Sequence, residues 1–356
     1  RRFATTVAAI VAASPRPPVL WVQDYHLLLL PRMLRELVPD VPIGFFLHTP
    51  FPAPELFARL PWRERLLDGL LAADNLGFQT SAHRDNFLRT VQRVVRDARV
   101  LGDTVVLPDG HRARAVAHPI SIDVDDFSRL ATDGATEADV AELAAQFGGR
   151  RVFLGIDRLD YTKGIRHRLR SLELLLEEDP GLADRVVLVQ IAVPSRDDVS
   201  EYQQLRGEVE SEVGRINGRF TAPGRDVPVH YLYRSIDRQQ LAAYYRLADV
   251  MCVTPLKDGM NLVAKEFVTV QDAAGGSGVL LLSEFCGTAQ EFGDDAVRCN
   301  PFDVEGMSML MAGALGMQES DRRARLQRMA QRVRDHDVHR WVETELDVIV
   351  GRRRRP

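Results

Sequence analysis

The sequence predicts an α/β protein made of two doubly wound, Rossmann-like domains that face a cleft. Short apolar segments alternate with helical patterns along most of the chain, which is typical of a parallel sheet with helices on its faces. The alternation starts anew after a polar segment between residues 121 and 136. In both halves, polar residues directly follow the apolar segments, at the strand ends where open α/β sheets bind ligands.

The first half opens with Phe3, Val7, Ile10 and Val11, whose spacing predicts a packed helix rather than a secretion signal. A later Asp109-Gly110 pair predicts a hairpin at the edge of the sheet. The elements predicted between them are strand 19–24, helix 27–37, strand 43–48, helices 54–72, strand 76–80 and helix 82–96.

The polar segment 121–136 is the best candidate for a domain boundary, which gives a first domain of residues 1–125 and a second of residues 126–356. The second domain is expected to include the C-terminal helices. Its predicted strands are 152–156, 186–192, 227–233, 250–253, 279–283 and 296–300. Helices are predicted from residue 165, at 199–216 and 237–247, after Asp258, and at 288–292.

Composition excludes several classes of protein. The chain has 356 residues, 45% hydrophobic and 27% charged, as in ordinary globular proteins. A net charge of −4 argues against a general nucleic-acid binder, and no apolar run approaches the ~18 residues of a membrane span. Cys252, Cys286 and Cys299 lack metal-type spacing, so reduced thiols and a cytoplasmic location are expected.

The segment 250–267 carries the strongest local signal. A buried strand precedes a Gly-containing turn and a helix N-terminus, where unpaired N–H groups attract anions. Gly259 would let the backbone approach a ligand, Asp258 could cap the helix or hold a sugar hydroxyl, and Glu266 would point toward the same crevice. Taken alone, the segment better fits an ordinary loop with a capping Asp258 and a solvated Glu266.

Lysine usage indicates a second loop of interest. Lys stands at only three positions, 163, 257 and 265, among 46 Lys and Arg residues. Some phosphate sites need this compact charge rather than the planar guanidinium. Arg158 and Lys163, with the helix N-terminus after Asp258, would balance a diphosphate without a metal, and no metal-ligand spacing is present.

Further polar residues follow other predicted strands: Asp24, His48 and Arg196. Each one alone could be a helix cap or a buried hydrogen-bonding residue. Together with the two loops, they are expected to surround one cleft.

Four motifs in order resemble the trehalose-6-phosphate synthases of retaining glycosyltransferase family 20. They are residues 21–27 (WVQDYHL), 46–52 (FLHTPFP), 157–164 (DRLDYTKG) and 258–266 (DGMNLVAKE), and the similarity extends over essentially the whole chain. The resemblance implies a GT-B fold, with the first domain on the acceptor side and the second binding the nucleotide sugar.

The resemblance also implies roles for individual residues. Asp24 would bind the acceptor ring and Arg196 the acceptor phosphate. The catalytic set would be Asp24, His48, Arg158, Lys163 and Asp258. The donor would be bound by His48, Arg158, Lys163, Ile236, Asp258, Gly259, Met260, Asn261, Leu262, Val263, Ala264, Lys265 and Glu266.

The implied reaction moves glucosyl from a nucleotide sugar, such as UDP-glucose, to glucose 6-phosphate with retention and without a metal or other cofactor. The sequence does not define the nucleotide base or the oligomeric state, and a homo-oligomer is one of the open alternatives. Family members carry a Gly-rich loop and acceptor-phosphate residues upstream of the segment that opens this chain, so the first domain is expected to be incomplete. Two alternatives therefore remain: a sibling enzyme that uses glycerol 3-phosphate, and a non-catalytic nucleotide-sugar binder.

Overall fold

A computed structural model of the protein describes residues 1–195 and 199–351. Within them the chain forms two compact units. The first contains Arg1–Ile120 and the chain from Val338 onward, and the second contains Ser121–Asp337.

The first unit is built on a six-stranded sheet with the order β1-β2-β3-β6-β5-β4. Its strands are β1 (Leu20–Gln23), β2 (Ile43–Leu47), β3 (Asn75–Phe78), β4 (Arg99–Leu101), β5 (Thr104–Val106) and β6 (Arg112–Ala117). Its first helices are α1 (Arg2–Ala13), α2 (Leu30–Leu37), α3 (Pro54–Phe57), α4 (Arg63–Leu71) and α5 (Ser81–Val94), with a 3₁₀ turn at Tyr25–Leu27.

Strands β1, β2, β3 and β6 are parallel, whereas β5 and β4 are antiparallel. The predicted hairpin is confirmed: β5 and β6 are joined by a turn in which Gly110 has φ 88°. The sequence-based interpretation was incomplete, however. Strand β6 continues past the hairpin as the parallel neighbour of β3, and the short strand β4 was not predicted.

The second unit is an all-parallel sheet with the order β12-β11-β10-β7-β8-β9. Its strands are β7 (Arg151–Arg158), β8 (Val186–Val193), β9 (Val229–Tyr233), β10 (Val250–Val253), β11 (Val279–Ser283) and β12 (Val297–Cys299). Its helices are α6 (Val124–Thr132), α7 (Gly134–Phe147), α8 (Ile165–Glu178), α9 (Ser200–Phe220), α10 (Arg238–Leu247), α11 (Leu262–Ala273), α12 (Thr288–Phe292), α13 (Val304–Gly316) and α14 (Glu319–Asp335). Short 3₁₀ turns lie at Tyr161–Lys163, Pro180–Asp184 and Gly293–Asp295.

Both faces of the second sheet are covered. Along β7, Val152 and Leu154 belong to one hydrophobic core and Phe153 belongs to the other. Successive strand residues point to opposite faces, so a continuous apolar run is what a doubly covered strand requires. This confirms the predicted doubly wound architecture.

The segment 121–136 is not a linker. It contains helix α6, capped by the Asp123 carboxylate, which accepts a hydrogen bond from the Asp126 amide at 3.0 Å. Phe127 and Ala131 of this helix are buried in the core of the second unit. The compact units divide at the beginning of the segment, between Ile120 and Ser121, rather than at residue 125.

The last helix, α15 (Val338–Ile349), belongs to the first unit, whereas the sequence-based division had placed all C-terminal helices in the second. Its Glu345 is fully buried, with Oε1 2.6 Å from Nδ1 of His118. Trp341 Nε1 donates to the His118 carbonyl at 3.1 Å. Gly44 of β2 leaves room for Ile349, whose side chain a Cβ at that position would strike. These contacts over more than 200 residues of chain are not visible as a local pattern.

Among residues 1–195 and 199–351, no helix combines the length and the apolar character needed to cross a bilayer. In the same part of the chain, no group of three or more His, Cys, Asp or Glu side chains is placed to hold a metal ion.

Candidate functional site

The topology of the second sheet defines where a ligand would bind. The chain starts at β7 in the middle of the sheet, proceeds outward through β8 and β9, and then returns to β10 on the other side of β7. The strand order therefore reverses between β7 and β10. Loops leaving the carboxyl ends of two such strands diverge and leave a crevice, which is the usual ligand site of open α/β sheets.

The loops after β7 and β10 are joined at this crevice by an ion pair. Lys163 Nζ lies 2.6 Å from Asp258 Oδ2, and the two side chains are only 12% and 20% exposed. The Leu256 amide also donates to the Thr162 carbonyl at 2.7 Å. Gly164 makes this approach feasible, because a Cβ at its position would collide with the Thr254 carbonyl oxygen.

Asp258 does not cap helix α11. Its Oδ1 accepts from the Gly259 amide at 2.8 Å, and its Oδ2 accepts from Asn261 Nδ2 at 3.1 Å. The N-cap is Asn261, which makes no side-chain capping bond. The sequence allowed two roles for Asp258, capping the helix or holding a sugar hydroxyl, and the capping role is therefore wrong.

The backbone before α11 is strained. Asn261 has φ 71°, a left-handed conformation that is uncommon outside glycine. The Thr288 hydroxyl supports this turn by hydrogen bonds to the carbonyl oxygens of Met260 and Asn261. Strained backbone persists where surrounding contacts define it, and here it immediately precedes the first turn of α11, whose amides have no partner within the helix.

Beneath the two loops lies a buried network that the sequence reasoning missed. Arg168 of α8 is fully buried and donates to Asp157 Oδ2 at 2.8 Å, to Gln190 Oε1 at 2.7 Å and to Thr254 Oγ1 at 3.0 and 3.1 Å. It thereby joins β7, the middle of β8 and the residue that follows β10. The available signal was an arginine on the apolar face of an amphipathic helix.

Asp160 is a second residue whose place the sequence did not predict. Its Oδ1 accepts from the amide and hydroxyl of Thr162, at 2.9 and 2.8 Å. Burial disfavours its ionisation, but these bonds and the charges of Lys163 and Arg158 outweigh burial and lower the pKa of Asp160. Asp160 thus anchors the 3₁₀ turn at Tyr161–Lys163 through its bonds to Thr162. The Arg158 side chain is exposed.

Glu266 lies in the second turn of α11 and is partly exposed. Its Oε2 accepts from the Tyr245 hydroxyl at 2.7 Å. Burial raises the pKa of Glu266, and the Tyr245 hydrogen bond and the charge of Arg238 oppose that rise. Ile236, the expected base-pocket residue, is half-buried between β9 and α10.

The side chain of Lys265 does not contribute a charge to the loops, contrary to the interpretation drawn from lysine usage. Its side chain is fully buried and lies 2.7 Å from Glu291 of α12. Burial lowers the pKa of Lys265, and Glu291 opposes the shift. The Lys265 side chain therefore stabilises the packing of α11, and only its backbone is available to a ligand.

In the first unit, the parallel strands β1 and β2 bring Asp24 and His48 together. The His48 amide donates to Asp24 Oδ1 at 3.3 Å, and His48 Nε2 lies 2.8 Å from Gln23 Oε1. Burial lowers the pKa of His48, opposed by the Asp24 charge, so the imidazole is neutral at pH 7. Asp24 has φ 67°, another strained position at a strand end.

The remaining predicted acceptor residue, Arg196, lies outside the described residues. The structure thus groups the other predicted residues in two sets. Asp24 and His48 lie at the carboxyl ends of β1 and β2 in the first unit. In the second unit lie Arg158, Lys163, Ile236, Asp258, Gly259, Met260, Asn261, Leu262, Val263, Ala264, Lys265 and Glu266.

The protein has two Rossmann-like units, one with a cation near an α-helix N-terminus at its switch point, and its fold is of the GT-B type that its solved structural neighbours share. The chain belongs to glycosyltransferase family 20, whose profile matches residues 1–350.

Curated relatives support this assignment. The chain is 44% identical over 357 residues to the trehalose-6-phosphate synthase of Mycobacterium avium (strain 104), covering 98% of this chain and 71% of the relative. It is 42% identical over 359 residues to the trehalose-6-phosphate synthase of Mycobacterium leprae (strain TN), covering 98% of this chain and 70% of the relative. The chain therefore spans about 71% of the length of such relatives.

Solved structures agree. The alpha,alpha-trehalose-phosphate synthase (UDP-forming) from Burkholderia xenovorans in complex with glucose-6-phosphate has a TM-score of 0.91 and 38% identity, over 98% of this chain and 77% of that one. The E. coli protein bound with UDP-2-fluoro glucose has a TM-score of 0.90 and 36% identity, over 98% and 76% of the two chains.

Proposed function

We propose that the protein transfers a glucosyl group from UDP-glucose to the anomeric hydroxyl of glucose 6-phosphate with retention, giving trehalose 6-phosphate. The observation that carries this proposal is the meeting of Lys163, Asp258 and the α11 N-terminus at the switch point of the second sheet. The descriptions of the solved neighbours supply the substrates: one is a UDP-forming trehalose-phosphate synthase in complex with glucose-6-phosphate, and the E. coli structure is bound with UDP-2-fluoro glucose.

In this proposal the diphosphate lies against Lys163, Arg158 and the first amides of α11. These groups stabilise the negative charge that develops on the leaving diphosphate, a contribution that is commonly worth several kcal/mol of barrier. Since two cations and a helix dipole already balance the diphosphate, we expect no metal requirement.

The glucosyl hydroxyls would be bound by Asp258 and the amides of Gly259 and Met260, with His48 contacting the same sugar. Asp24 would bind the acceptor ring, and we assign Arg196 to its phosphate. Glu266 would accept from the ribose hydroxyls, and main-chain groups near Ile236 would contact the base.

The bond between the glucosyl anomeric carbon and the diphosphate breaks as the acceptor oxygen bonds to the same face of that carbon. The acceptor hydroxyl proton passes to the leaving diphosphate, and UDP is released. Positioning of the two sugars supplies much of the remaining rate enhancement. We place the reaction in the cytoplasm, where the three buried free cysteines would stay reduced.

The test is to incubate the protein with UDP-glucose and measure UDP release with glucose 6-phosphate, with glycerol 3-phosphate and without acceptor. Release that depends on glucose 6-phosphate, with an α,α-linked product by NMR, supports the proposal. Release only with glycerol 3-phosphate identifies the sibling activity. UDP binding without any release identifies a nucleotide-sugar binder.

Lys163→Ala is expected to lower the transfer rate about a hundredfold while weakening UDP affinity much less, because the developing charge loses its nearest cation. Lys257→Ala is the matched control, since it removes an exposed lysine from the neighbouring loop. Equal rates for Lys163→Ala and the wild type would contradict the assignment of Lys163.

A further inference from the structure

Tyr245 of helix α10 is a buried residue that contacts the proposed nucleotide site without lining it. Its side chain is fully buried, whereas its partner Glu266 is partly exposed. The Tyr245 hydroxyl donates to Glu266 Oε2 at 2.7 Å. A ligand could therefore reach Glu266 but not Tyr245.

The position of Tyr245 is firmly defined by α11. Gln271 Nε2 of α11 donates to the Tyr245 carbonyl at 2.7 Å and to the Ala248 carbonyl at 3.0 Å. Gln271 Oε1 accepts from the Gly278 amide at 3.0 Å. The Tyr245 ring also packs edge-on against Phe267, with centroids 6.3 Å apart. A hydroxyl located this precisely can orient the group that it contacts.

Protonation supports the direction of the hydrogen bond. Burial raises the pKa of Tyr245 well above its ordinary value, and the charges of Glu266 and Asp157 add to the rise, so the phenol keeps its proton. Burial disfavours the carboxylate of Glu266, and the Tyr245 bond opposes that effect. Tyr245 is therefore a donor that favours an ionised acceptor next to it.

Only Oε2 of Glu266 is engaged by Tyr245, and among the described residues no other hydrogen bond to this carboxylate is present. A carboxylate fixed through one oxygen presents the other in a defined direction. Two neighbouring hydroxyls, such as those of a ribose, can both donate to such a group.

We propose that Tyr245 is a positioning residue that orients Glu266 so that its free oxygen accepts hydrogen bonds from the ribose hydroxyls of the bound nucleotide. This inference rests on the proposed function and adds a selection for ribose over sugars that lack these hydroxyls. Tyr245 acts only through Glu266.

The experiment measures binding of UDP and of 2′,3′-dideoxy-UDP to the full chain. The wild type is expected to bind UDP about tenfold or more tightly than the dideoxy analogue, since the analogue offers no donor to the second carboxylate oxygen of Glu266. Tyr245→Phe is expected to weaken UDP about fivefold and the analogue hardly at all, so that the ratio falls. In turnover, Tyr245→Phe should raise KM for UDP-glucose with little change in kcat.

Tyr244→Phe is the matched control, because it removes the hydroxyl of the adjacent, equally buried tyrosine. It should leave the ratio unchanged. In a Glu266→Gln background, Tyr245→Phe should not change the ratio of the affinities for UDP and the dideoxy analogue any further. This comparison separates an effect through Glu266 from a general loss of stability caused by Tyr245→Phe.

Equal weakening of UDP and the analogue by Tyr245→Phe would mean a merely structural tyrosine and overturns the inference. A wild type that binds both nucleotides equally also overturns it, while leaving the proposed reaction intact. A wild type that binds neither overturns the proposed function itself, and with it the inference.

Discussion

At the scale of single residues, Asp258 pairs with Lys163 in the free protein and would bind the donor sugar in the proposed complex. In the free protein it neutralises Lys163, with the two charged atoms 2.6 Å apart. In the proposed complex Lys163 binds the diphosphate and Asp258 accepts from the sugar. Ligand binding must therefore exchange one set of charge-assisted hydrogen bonds for another.

Asp258→Asn is expected to separate binding from transfer. Lys163 then has no anionic partner to leave, so UDP should bind as tightly as to the wild type or a few-fold more tightly. Transfer should fall roughly ten- to a hundredfold, because the amide is a weaker acceptor for the glucosyl hydroxyls. Titration calorimetry with UDP and initial rates measure the two quantities.

The double variant Lys163→Ala/Asp258→Asn is the control for this prediction. It should show no tightening of UDP, since the released cation is absent. Weaker UDP binding by Asp258→Asn than by the wild type would contradict the competition between the two partners.

Glu266 is expected to give the nucleotide affinity a pH dependence. Burial raises the pKa of this carboxyl, with Tyr245 and Arg238 opposing the rise. Ribose hydroxyls need a carboxylate acceptor, so UDP affinity should decrease as the pH falls through the raised pKa. The diphosphate of UDP also titrates and adds its own pH dependence to the affinity. The Glu266→Gln variant retains this ligand contribution, so it is the reference for the effect of Glu266.

Glu266→Gln should bind UDP more weakly at neutral pH, and the difference from the wild type should shrink as the pH is lowered. The measurement is the UDP dissociation constant of both proteins across the acidic range. A difference that stays constant with pH would remove Glu266 from the ribose contact.

At the scale of elements, the approach of the loops after β7 and β10 depends on Gly164. This residue has φ 67°, and a Cβ there would collide with the Thr254 carbonyl oxygen. Gly164→Ala adds that collision to the cost of about 1–2 kcal/mol for a left-handed alanine. The variant should lose more than this in unfolding free energy and should also weaken UDP binding.

The variant Gly149→Ala separates the steric collision from the conformational cost of a left-handed alanine. Gly149 has a similar φ of 77°, and a Cβ at its position meets nothing within 4 Å. It should lose only the conformational cost of about 1–2 kcal/mol and keep UDP affinity. Equal losses in the two variants, measured by denaturant unfolding, would show that the loop contact is adaptable.

At the scale of the whole molecule, the chain returns at its end to its first unit. Fully buried Glu345 accepts from Asn75 Nδ2 at 3.3 Å and contacts His118. Glu345→Gln should lower the free energy of unfolding of the first unit by about 1–3 kcal/mol, because a buried carboxyl group that contacts His118 and Asn75 is replaced by an amide. Glu343→Gln, on an exposed position of α15, should change it by less than about 0.5 kcal/mol.

Thermal unfolding with and without UDP measures this prediction. UDP at about a hundred times its dissociation constant should stabilise its own unit by about 2.7 kcal/mol in both variants. Loss of the UDP response in Glu345→Gln would contradict an effect confined to the first unit.

Much of the architecture could be predicted from the sequence. Periodicity indicated both doubly wound sheets and the limits of several helices, such as α5, α10 and α12, because burial on one or both faces leaves a local pattern. The motif at residues 258–266 was also evident, because a glycine turn follows a buried strand there. Lys163 was evident because lysine is rare in a chain with so many arginines, and Arg158 because it follows a predicted strand.

The rest depended on contacts between residues far apart in the chain. Helix α15 packs on the first unit through the contacts of Glu345 with His118 and of Ile349 with Gly44. No local sequence pattern indicates either contact. For the same reason, Arg168 below the loops and Tyr245 behind Glu266 could not be predicted.

By itself, therefore, the sequence determined most of the segments that become strands and helices, and the loops that carry charge. Only the tertiary structure decided that Asp258 pairs with Lys163 instead of capping α11, and that Lys265 is buried against Glu291. The physical reason is that local propensity depends on neighbouring residues, whereas the partner of a charged side chain depends on how the sheet brings distant loops together.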